Sequence, residues 1–472
     1  MAKPTVVLVP VWGVGHFKPM LEVGKRLLAC SGRRLTVTVI MMPAPTTNVA
    51  SELDEHMRQV EAADADIRSL YVPAVAPPTD HTGTEEFISR YVRRYAPHVK
   101  AAVSGLTSCP VAGVVFDIFC AALLDATREL GVPAYVYMIS SAAFCALMLR
   151  SPDLDEEEMD GGRVDVPGLP PVPAPSCLPT GLENRKIPTY DWFVYNGRRY
   201  METSGIIVNT VAELEPRVLA AIADGRCTRG VRAPSVSTIG PVIPFTAEEE
   251  EHHECVRWLD SQPPASVLFL CFGSSVFFKA PQAHEIARAL ERSGHRFLWV
   301  LRGAPEPGTK TSTDGNLAEL LPPGFLDKTE ARGLVWPKRA PQKQVLAHAA
   351  VGAFVTHCGW NSVLESLWHG VPMVPWPSAA EQHYNAFVLV ADMGAAVAME
   401  VDRKRNNFVE AAELERAVKT IMDGGEVARK VRNRAMEMKA ACRAAMEDGG
   451  SSCVSLQGLC DALVDGAVAI KN

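Results

Sequence analysis

A chain of 472 residues exceeds what one hydrophobic core usually supports, so its length predicts at least two domains. Its hydrophobic fraction of 47% is ample for burial, and its net charge of −7, without long blocks of like charge, argues against a nucleic-acid partner. The twelve cysteines include no Cys-x-x-Cys pair, and the sequence contains neither a signal peptide nor an 18-residue apolar segment, so we expect reduced cysteines, no membrane insertion and a cytoplasmic location.

Strands and helices alternate along the first half of the chain, which predicts an α/β fold with a parallel sheet. A helix with one apolar face follows a buried strand at 6–9, and another helix is predicted around 120–130. An acidic and then proline-rich stretch, 151–188, is predicted to be a long surface loop. The remaining strands of the first domain are predicted at 35–40, 67–72, 113–116, 134–138 and 205–209, the last of which closes that domain.

A second alternating series follows a candidate linker at 241–255, which contains four glutamates followed by His252 and His253. The two histidines have no third ligand nearby, so we predict a solvated linker and no metal site. A polar loop is predicted at 304–315. The predicted boundaries are 1–240 for an acceptor-binding domain, 256–450 for a nucleotide-binding domain and 451–472 for a terminal helix. The strands of the second domain are predicted at 267–272, 297–301, 352–356, 372–375 and 394–399.

The most informative segment is 339–382, in which a strand runs directly into the sequence HCGWNS and a helix. Asn361 and Ser362 lie where that helix begins, and free N–H groups and the helix dipole favour an anion there. His357 can reach the same anion. Ligands of open α/β sheets bind outside the carboxyl ends of the strands. This arrangement predicts a site for a nucleotide diphosphate.

Two further turns follow predicted strands. In the first, GVGHFKP, a dinucleotide-binding fingerprint would need glycine where the chain has Lys18, which weighs against an NAD-dependent dehydrogenase. His16 lies in this turn, and Asp117 follows the strand at 113–116, where it could also cap the next helix. In the second, CFGSS, Ser274 or Ser275 could approach a phosphate, although an ordinary strand-ending turn is the alternative.

The segment 339–382 resembles, position for position, the 44-residue signature box of plant UDP-dependent glycosyltransferases, which glycosylate small secondary metabolites. The resemblance implies a GT-B fold of two facing doubly wound Rossmann-like domains, with a C-terminal helix that returns to the first domain. Arg339 stands where the family usually has tryptophan, and its guanidinium plane could stack on uracil instead. The resemblance assigns the box residues to uracil (Ala340, Gln342), ribose (Glu365), diphosphate (His357, Asn361, Ser362) and sugar (Trp360, Glu381, Gln382).

The same resemblance makes His16 the catalytic base and Asp117 its partner carboxylate, in an inverting transfer that uses UDP-glucose as co-substrate and no cofactor. Glucose is implied by the final Gln382, because the family more often has histidine there when galactose is used. A physical reason is that Glu381 as an acceptor and Gln382 as both donor and acceptor could engage adjacent equatorial hydroxyls of glucose, which an axial 4-hydroxyl would not match. A flat phenolic acceptor such as a flavonoid and a monomeric enzyme are expected. A dehydrogenase and a non-catalytic UDP-sugar or phenol-binding protein stay open as alternatives. The candidates for acceptor contacts are Gly15, Phe119, Ser140, Ser141, Phe144 and Trp192.

Overall fold

The computed structural model describes residues 2–154, 162–243, 253–306 and 312–469. The chain divides into two compact units. The first unit comprises Met1–Pro175, Thr180–Pro244 and Ala444–Asn472, and the second comprises Ser176–Pro179 and Phe245–Arg443.

The first unit is built on a parallel sheet of seven strands in the order β3-β2-β1-β4-β5-β8-β9. The elements from the start of the chain to the last strand of this sheet are, in chain order, β1 Thr5–Val9, α1 Val14–Cys30, β2 Thr36–Met41, α2 Thr47–Ala63, β3 Ile67–Tyr71, α3 Thr84–Arg94, α4 Ala96–Ser104, β4 Val111–Asp117, α5 Leu124–Arg128, β5 Ala134–Met138, α6 Ala142–Leu154, β6 Arg163–Val164, β7 Val172–Pro173, α7 Ala174–Cys177, α8 Thr180–Glu183, α9 Pro188–Tyr200, β8 Gly205–Val208, α10 Pro216–Ala223 and β9 Val236–Thr238. Of these, α7 crosses into the second unit at Ser176.

The central strands of this sheet are apolar on both faces, as expected where helices cover both sides of a parallel sheet. All five residues of β1 are buried. On α1, Met20, Leu21, Leu27 and Leu28 recur at helical spacing and are buried, so the predicted apolar face is confirmed. The sheet reverses its direction of growth between β1 and β4, which places a crevice at the carboxyl ends of those two strands.

The second unit contains a parallel sheet of five strands in the order β14-β11-β10-β15-β16. Its switch point lies between β10 and β15. Its elements are α11 Glu254–Asp260, β10 Val267–Cys271, α12 Ala280–Ser293, β11 Arg296–Val300, β12 Arg302–Pro305, β13 Ser312–Asp314, α13 Leu317–Leu320, α14 Phe325–Thr329, β14 Gly333–Trp336, α15 Gln342–Ala347, β15 Val351–Thr356, α16 Trp360–His369, β16 Met373–Pro375, α17 Gln382–Phe387, α18 Ala411–Met422 and α19 Glu426–Met446.

The last helix, α20 Ser451–Ala469, belongs to the first unit, where it packs against β4, β9 and α1. Cys460 and Leu463 on this helix are fully buried. The Cys460 thiol donates to the carbonyl of Leu27 on α1 at 3.6 Å. The chain therefore completes its first unit only after it has built the second.

Several predicted elements differ from the observed ones. Residues 394–399 form no strand, because only an isolated bridge joins Ala396 to Met373. The strand predicted at 205–209 is not the last of its sheet, since β9 pairs beyond it. β14 was missed, because its four residues are too few and too exposed for a clear apolar signal.

The predicted loops contain short regular elements. Within 151–188, the antiparallel pair β6–β7 and two one-turn helices are formed, while residues 155–161 lie outside the described part of the chain. Within 304–315, β12 pairs with β13, and residues 307–311 are likewise not described. Most of the linker predicted at 241–255 falls on residues 244–252, which also lie outside the described residues.

Candidate active site

In the first unit, His16 and Asp117 meet at the switch point of the sheet. β1 and β4 are neighbours, with Val9 paired to Phe116, so the residues that follow their ends share one edge. The distance between His16 Nδ1 and Asp117 Oδ2 is 2.7 Å. The Asp117 side chain is fully buried, whereas that of His16 is 28% exposed, so the imidazole can meet a ligand and the carboxylate cannot.

Asp117 makes both of the contacts expected for its two predicted roles. Its Oδ2 faces His16, and its Oδ1 accepts from the backbone N–H of Phe119 at 3.1 Å, which caps the following turn of 3₁₀ helix. An ionised carboxylate can only accept, so His16 Nδ1 carries a hydrogen and Nε2 is left with its lone pair. In this tautomer Nε2 is the basic nitrogen of the ring.

The turn that carries His16 is fixed by an aromatic cluster that the sequence analysis missed. The Trp12 indole N–H donates to the carbonyl of Met42 at 2.6 Å, and its ring stacks on Tyr91 with 4.7 Å between centroids. The Gly13 carbonyl accepts from the N–H groups of His16 and Phe17, so His16 lies in the first turn of α1, which begins at Val14. Two aromatic residues four apart, Tyr91 on α3 and Tyr95 directly after it, were the available signal.

The residues predicted to contact the acceptor fall into two groups. The Phe119 ring lies 5.7 Å from the His16 ring, and Gly15 is exposed in the same turn. Ser140, Ser141 and Phe144 are buried, and the hydroxyl of Ser141 accepts from the Phe144 N–H at the start of α6. Trp192, half-buried on α9, packs edge-on against Tyr195. The structure thus brings Phe119 and Gly15 to His16, and acceptor binding by the others stays a prediction.

In the second unit, His357 lies between the two turns predicted to hold phosphate. β10 and β15 pair as far as Cys271 and Thr356, so the turns that follow them are adjacent. A Cβ atom on Gly273 or Gly359 would lie 2.9 Å or 2.5 Å from His357 Nε2. Only glycine therefore allows the imidazole to occupy this position.

The start of α16 next to this histidine has no side-chain cap at Gly359. The ten residues of α16 include Trp360, Asn361 and Ser362 in its first turn, where backbone N–H groups have no partner within the helix. Such a terminus attracts anions through its dipole. Of the other predicted phosphate contacts, Ser274 and Ser275 are both exposed, and their contact with a phosphate stays a prediction.

The residues predicted at uracil and ribose are linked to one another. Gln342 Nε2 donates to Ser362 Oγ at 2.8 Å and to Glu365 Oε2 at 2.7 Å, so this amide connects α15 to α16. Arg339 is exposed, and its carbonyl accepts from the Trp336 indole N–H at 3.3 Å. A tryptophan therefore does lie beside Arg339, three residues before the position at which the family usually has one.

At the end of the box, Gln382 cannot both donate and accept, as the sequence analysis assumed. Its Oε1 already accepts from Ser378 N (2.9 Å), Ser378 Oγ (2.8 Å) and Ala379 N (3.0 Å). These three hydrogen bonds occupy Oε1 within the turn before α17, so only the Nε2 group can bind the sugar, as a donor. Glu381 precedes Gln382 at the N-cap of α17, and acceptance from the sugar by this carboxylate stays a prediction.

Comparison with known proteins identifies the family. Residues 235–436 match the family model described as UDP-glucoronosyl and UDP-glucosyl transferase. The chain is 61% identical over 485 residues to malvidin galactosylase UGT88C3 of Oryza sativa subsp. japonica, covering 100% of both proteins. It is 36% identical to an anthocyanidin 5,3-O-glucosyltransferase of a Rosa hybrid cultivar, covering 97% of this chain and 98% of that protein.

The fold is similar to that of Phytolacca americana UGT2 in complex with UDP-2fluoro-glucose and pterostilbene. The TM-score is 0.85 at 31% identity, covering 98% of this chain and 99% of that chain. The chain belongs to the plant UDP-glycosyltransferases. The predicted GT-B fold is confirmed, and the dehydrogenase alternative is wrong.

The UDP-glycosyltransferase contains no group of three or more His, Cys, Asp or Glu side chains arranged to hold a metal ion within its described residues. In the same part of the chain, no helix combines the length and apolarity needed to span a membrane. All twelve cysteines are free thiols, as expected from their spacing.

Burial lowers the pKa of two histidines in the second unit of the glycosyltransferase, His357 and His383, to about 4. At His383 the nearby charge of Arg403 lowers the pKa further, whereas its hydrogen bond to Asn407 opposes the shift. A histidine in the unfolded chain has a pKa of about 6.5. The unfolded state therefore binds protons that the folded state excludes, and the free energy of unfolding falls as the pH drops from about 6.5 to about 4.

We expect His383→Gln to remove part of this pH dependence. Glutamine retains an N–H donor for Asn407 Oδ1, which lies 2.9 Å from His383 Nε2, but does not titrate. The wild type loses up to about 1.4 kcal/mol per pH unit through this histidine. Denaturant unfolding at about pH 7 and about pH 5 measures the difference, with His284→Gln on α12 as a control. If the free energy of unfolding falls equally in the wild type and in His383→Gln between these two pH values, His383 does not cause the pH dependence.

Proposed function

We propose that the chain transfers a hexose from its UDP-sugar to a hydroxyl group of a flavonoid-type acceptor. The observation that carries this proposal is the contact between His16 Nδ1 and Asp117, which leaves Nε2 as a base in a member of this family. The acceptor class is supported by two relatives, one named for malvidin and one for anthocyanidins. A phenolic compound, pterostilbene, is named in the complex of the similar Phytolacca enzyme.

In the proposed mechanism, His16 Nε2 takes the proton from the acceptor hydroxyl while its oxygen attacks the anomeric carbon of the sugar. The bond from that carbon to the UDP oxygen breaks, and the attack from the opposite face inverts the anomeric centre. Asp117 stabilises the imidazolium that forms, as carboxylates do in hydrolase triads. The charge that develops on UDP is met by the start of α16 and by His357, whose lowered pKa keeps it neutral before UDP binds. These groups offer donors for the diphosphate, so the proposal includes no metal or other cofactor.

The donor sugar has two candidates. Glucose is the prediction from Gln382, but its physical argument required that amide to accept as well as donate. Because Gln382 Oε1 accepts three hydrogen bonds within the protein, the remaining N–H donors can meet an axial or an equatorial 4-hydroxyl. The relative that is 61% identical is a galactosylase. We therefore propose UDP-galactose as the preferred donor.

Transfer to malvidin in an equimolar mixture of UDP-galactose and carbon-13-labelled UDP-glucose tests both the reaction and the sugar. The label separates the two hexosides by mass, and we expect the galactoside to exceed the glucoside. A majority of glucoside would restore the glucose prediction. Absence of any hexoside from malvidin and from a panel of flavonoids would contradict the proposed function and favour a non-catalytic binding protein.

A further inference from the structure

We infer that Asn385 is a positioning residue for the sugar half of the donor, because its buried amide ties the carboxylate of Glu381 to the turn that contains His357. The inference rests on the proposed function and on the assignment of Glu381 to the sugar that the family resemblance implies. Asn385 itself is fully buried, so it cannot touch the donor and must act through its neighbours.

The amide of Asn385 donates two hydrogen bonds that join separate parts of the site. Its Nδ2 lies 3.3 Å from Glu381 Oε1 and 3.0 Å from the carbonyl oxygen of Cys358. Cys358 has a φ of 63° and stands between His357 and Gly359 in the turn at the end of β15. A single side chain thus connects the predicted diphosphate turn to the predicted sugar carboxylate.

The orientation of this amide is fixed by its partners. Both are acceptors, a carboxylate oxygen and a carbonyl oxygen, so the NH₂ group must face them. Asn385 Oδ1 is buried and has no hydrogen-bond partner among the described residues. A buried acceptor without a partner destabilises the fold, and a leucine of similar size would not carry that cost. The benefit of the asparagine therefore lies in its two donated bonds.

The bond to Glu381 has a specific consequence for the sugar. It is charge-assisted, and it holds one oxygen of the carboxylate, which restricts the rotation of the whole group. Glu381 also lies at the N-cap of α17, one turn before Asn385, and its carbonyl accepts from the Asn385 N–H at 3.0 Å. Loss of the side-chain bond should leave this helix in place and loosen the position of the carboxylate.

The test separates the sugar from the nucleotide by comparing two ligands. The ratio of the dissociation constant of UDP to that of UDP-galactose, measured by calorimetry without acceptor, isolates the contribution of the sugar. Any change in diphosphate binding through Cys358 affects both ligands and cancels in the ratio. We expect Asn385→Leu to lower this ratio by about tenfold, because the loosened carboxylate of Glu381 would lose about one charge-assisted hydrogen bond to the sugar.

A double-mutant cycle then asks whether Asn385 acts through Glu381. Glu381→Ala alone should lower the ratio to a similar extent, and adding Asn385→Leu to it should lower the ratio no further. Asn385→Asp, which keeps the size but loses both donors, should follow Asn385→Leu and serves if the leucine variant does not fold. Asn196→Leu is the matched control: Asn196 is also buried, with an Oδ1 that has no partner in the described chain, but it lies on α9 of the first unit.

Each outcome decides a different point. If Asn385→Leu and Asn385→Asp leave the ratio unchanged while Glu381→Ala lowers it, the positioning role is wrong and the proposed function stands. The positioning role is also wrong, and the proposed function stands, if the ratio in the double variant falls by the product of the two single effects. If Glu381→Ala itself leaves the ratio unchanged, the sugar role of Glu381 in the proposed function fails, and the role of Asn385 fails with it.

Discussion

Replacing His16 by alanine is expected to lower the rate of sugar transfer by about 10²- to 10⁴-fold, the usual contribution of a general base. The imidazole is the only part of the pair that is exposed, at 28%, and its Nε2 holds the lone pair because Asp117 engages Nδ1. UDP affinity should be unchanged, since the predicted nucleotide contacts belong to the second unit. Initial rates at saturating donor and calorimetric titration with UDP measure the two quantities separately.

Asp117→Asn provides a second test with little structural disturbance. The asparagine oxygen can still cap Phe119, while its NH₂ group would face His16 Nδ1 and force the ring proton onto Nε2. The rate should therefore fall in the same direction as for His16→Ala. His98→Ala on α4 is the control. A parallel loss of UDP affinity in His16→Ala, or a normal rate in Asp117→Asn, would contradict the assignment of the pair.

Gly359→Ala is expected to weaken UDP binding by about 10- to 150-fold. The new Cβ would lie 2.5 Å from His357 Nε2, closer than side chains can approach, so the imidazole must leave its place between the two turns. The diphosphate then loses a hydrogen bond to a charged group, worth about 1.5–3 kcal/mol, and each 1.36 kcal/mol corresponds to a factor of about ten. Calorimetric titration with UDP gives the affinity directly.

The control for this substitution is Gly425→Ala, in the same unit, where an added Cβ would meet no atom within 4 Å. We expect UDP affinity and thermal stability close to those of the wild type in that variant. Unchanged UDP affinity in Gly359→Ala would mean that His357 does not contact the diphosphate. Restoration of affinity by removing the ring as well, in Gly359→Ala with His357→Ala, would point to crowding of the turn rather than to loss of the imidazole.

The sequence predicted those features that depend on local pattern. The apolar run at 6–9 and the spacing of Met20, Leu21 and Leu28 identified β1 and α1, and chain order placed His16 and Asp117 at strand ends. In an open parallel sheet the carboxyl ends of neighbouring strands lie side by side, so these two residues were expected to be close in space. The distance of 2.7 Å between the pair is consistent with that expectation.

Features set by three-dimensional context were missed. The apolar run at 394–399 is long enough for a strand, but its segment forms only a single bridge to Met373. The oxygen of Gln382 is occupied by a turn whose shape depends on Asn407, which donates to the Ser378 carbonyl at 2.8 Å from 29 positions along the chain. Sequence spacing does not predict such a long-range contact. The sequence therefore could not show that the Gln382 amide is able to donate to the sugar but not to accept from it.

The place of α20 has a consequence for synthesis of the protein. This helix supplies buried side chains to the first unit, among them Cys460 and Leu463, but it is translated after the whole of the second unit. Throughout most of translation, the apolar surfaces of α1, β4 and β9 that α20 covers stay exposed, and such surface favours aggregation of nascent chains. The first unit therefore cannot finish folding while the ribosome is still making the second.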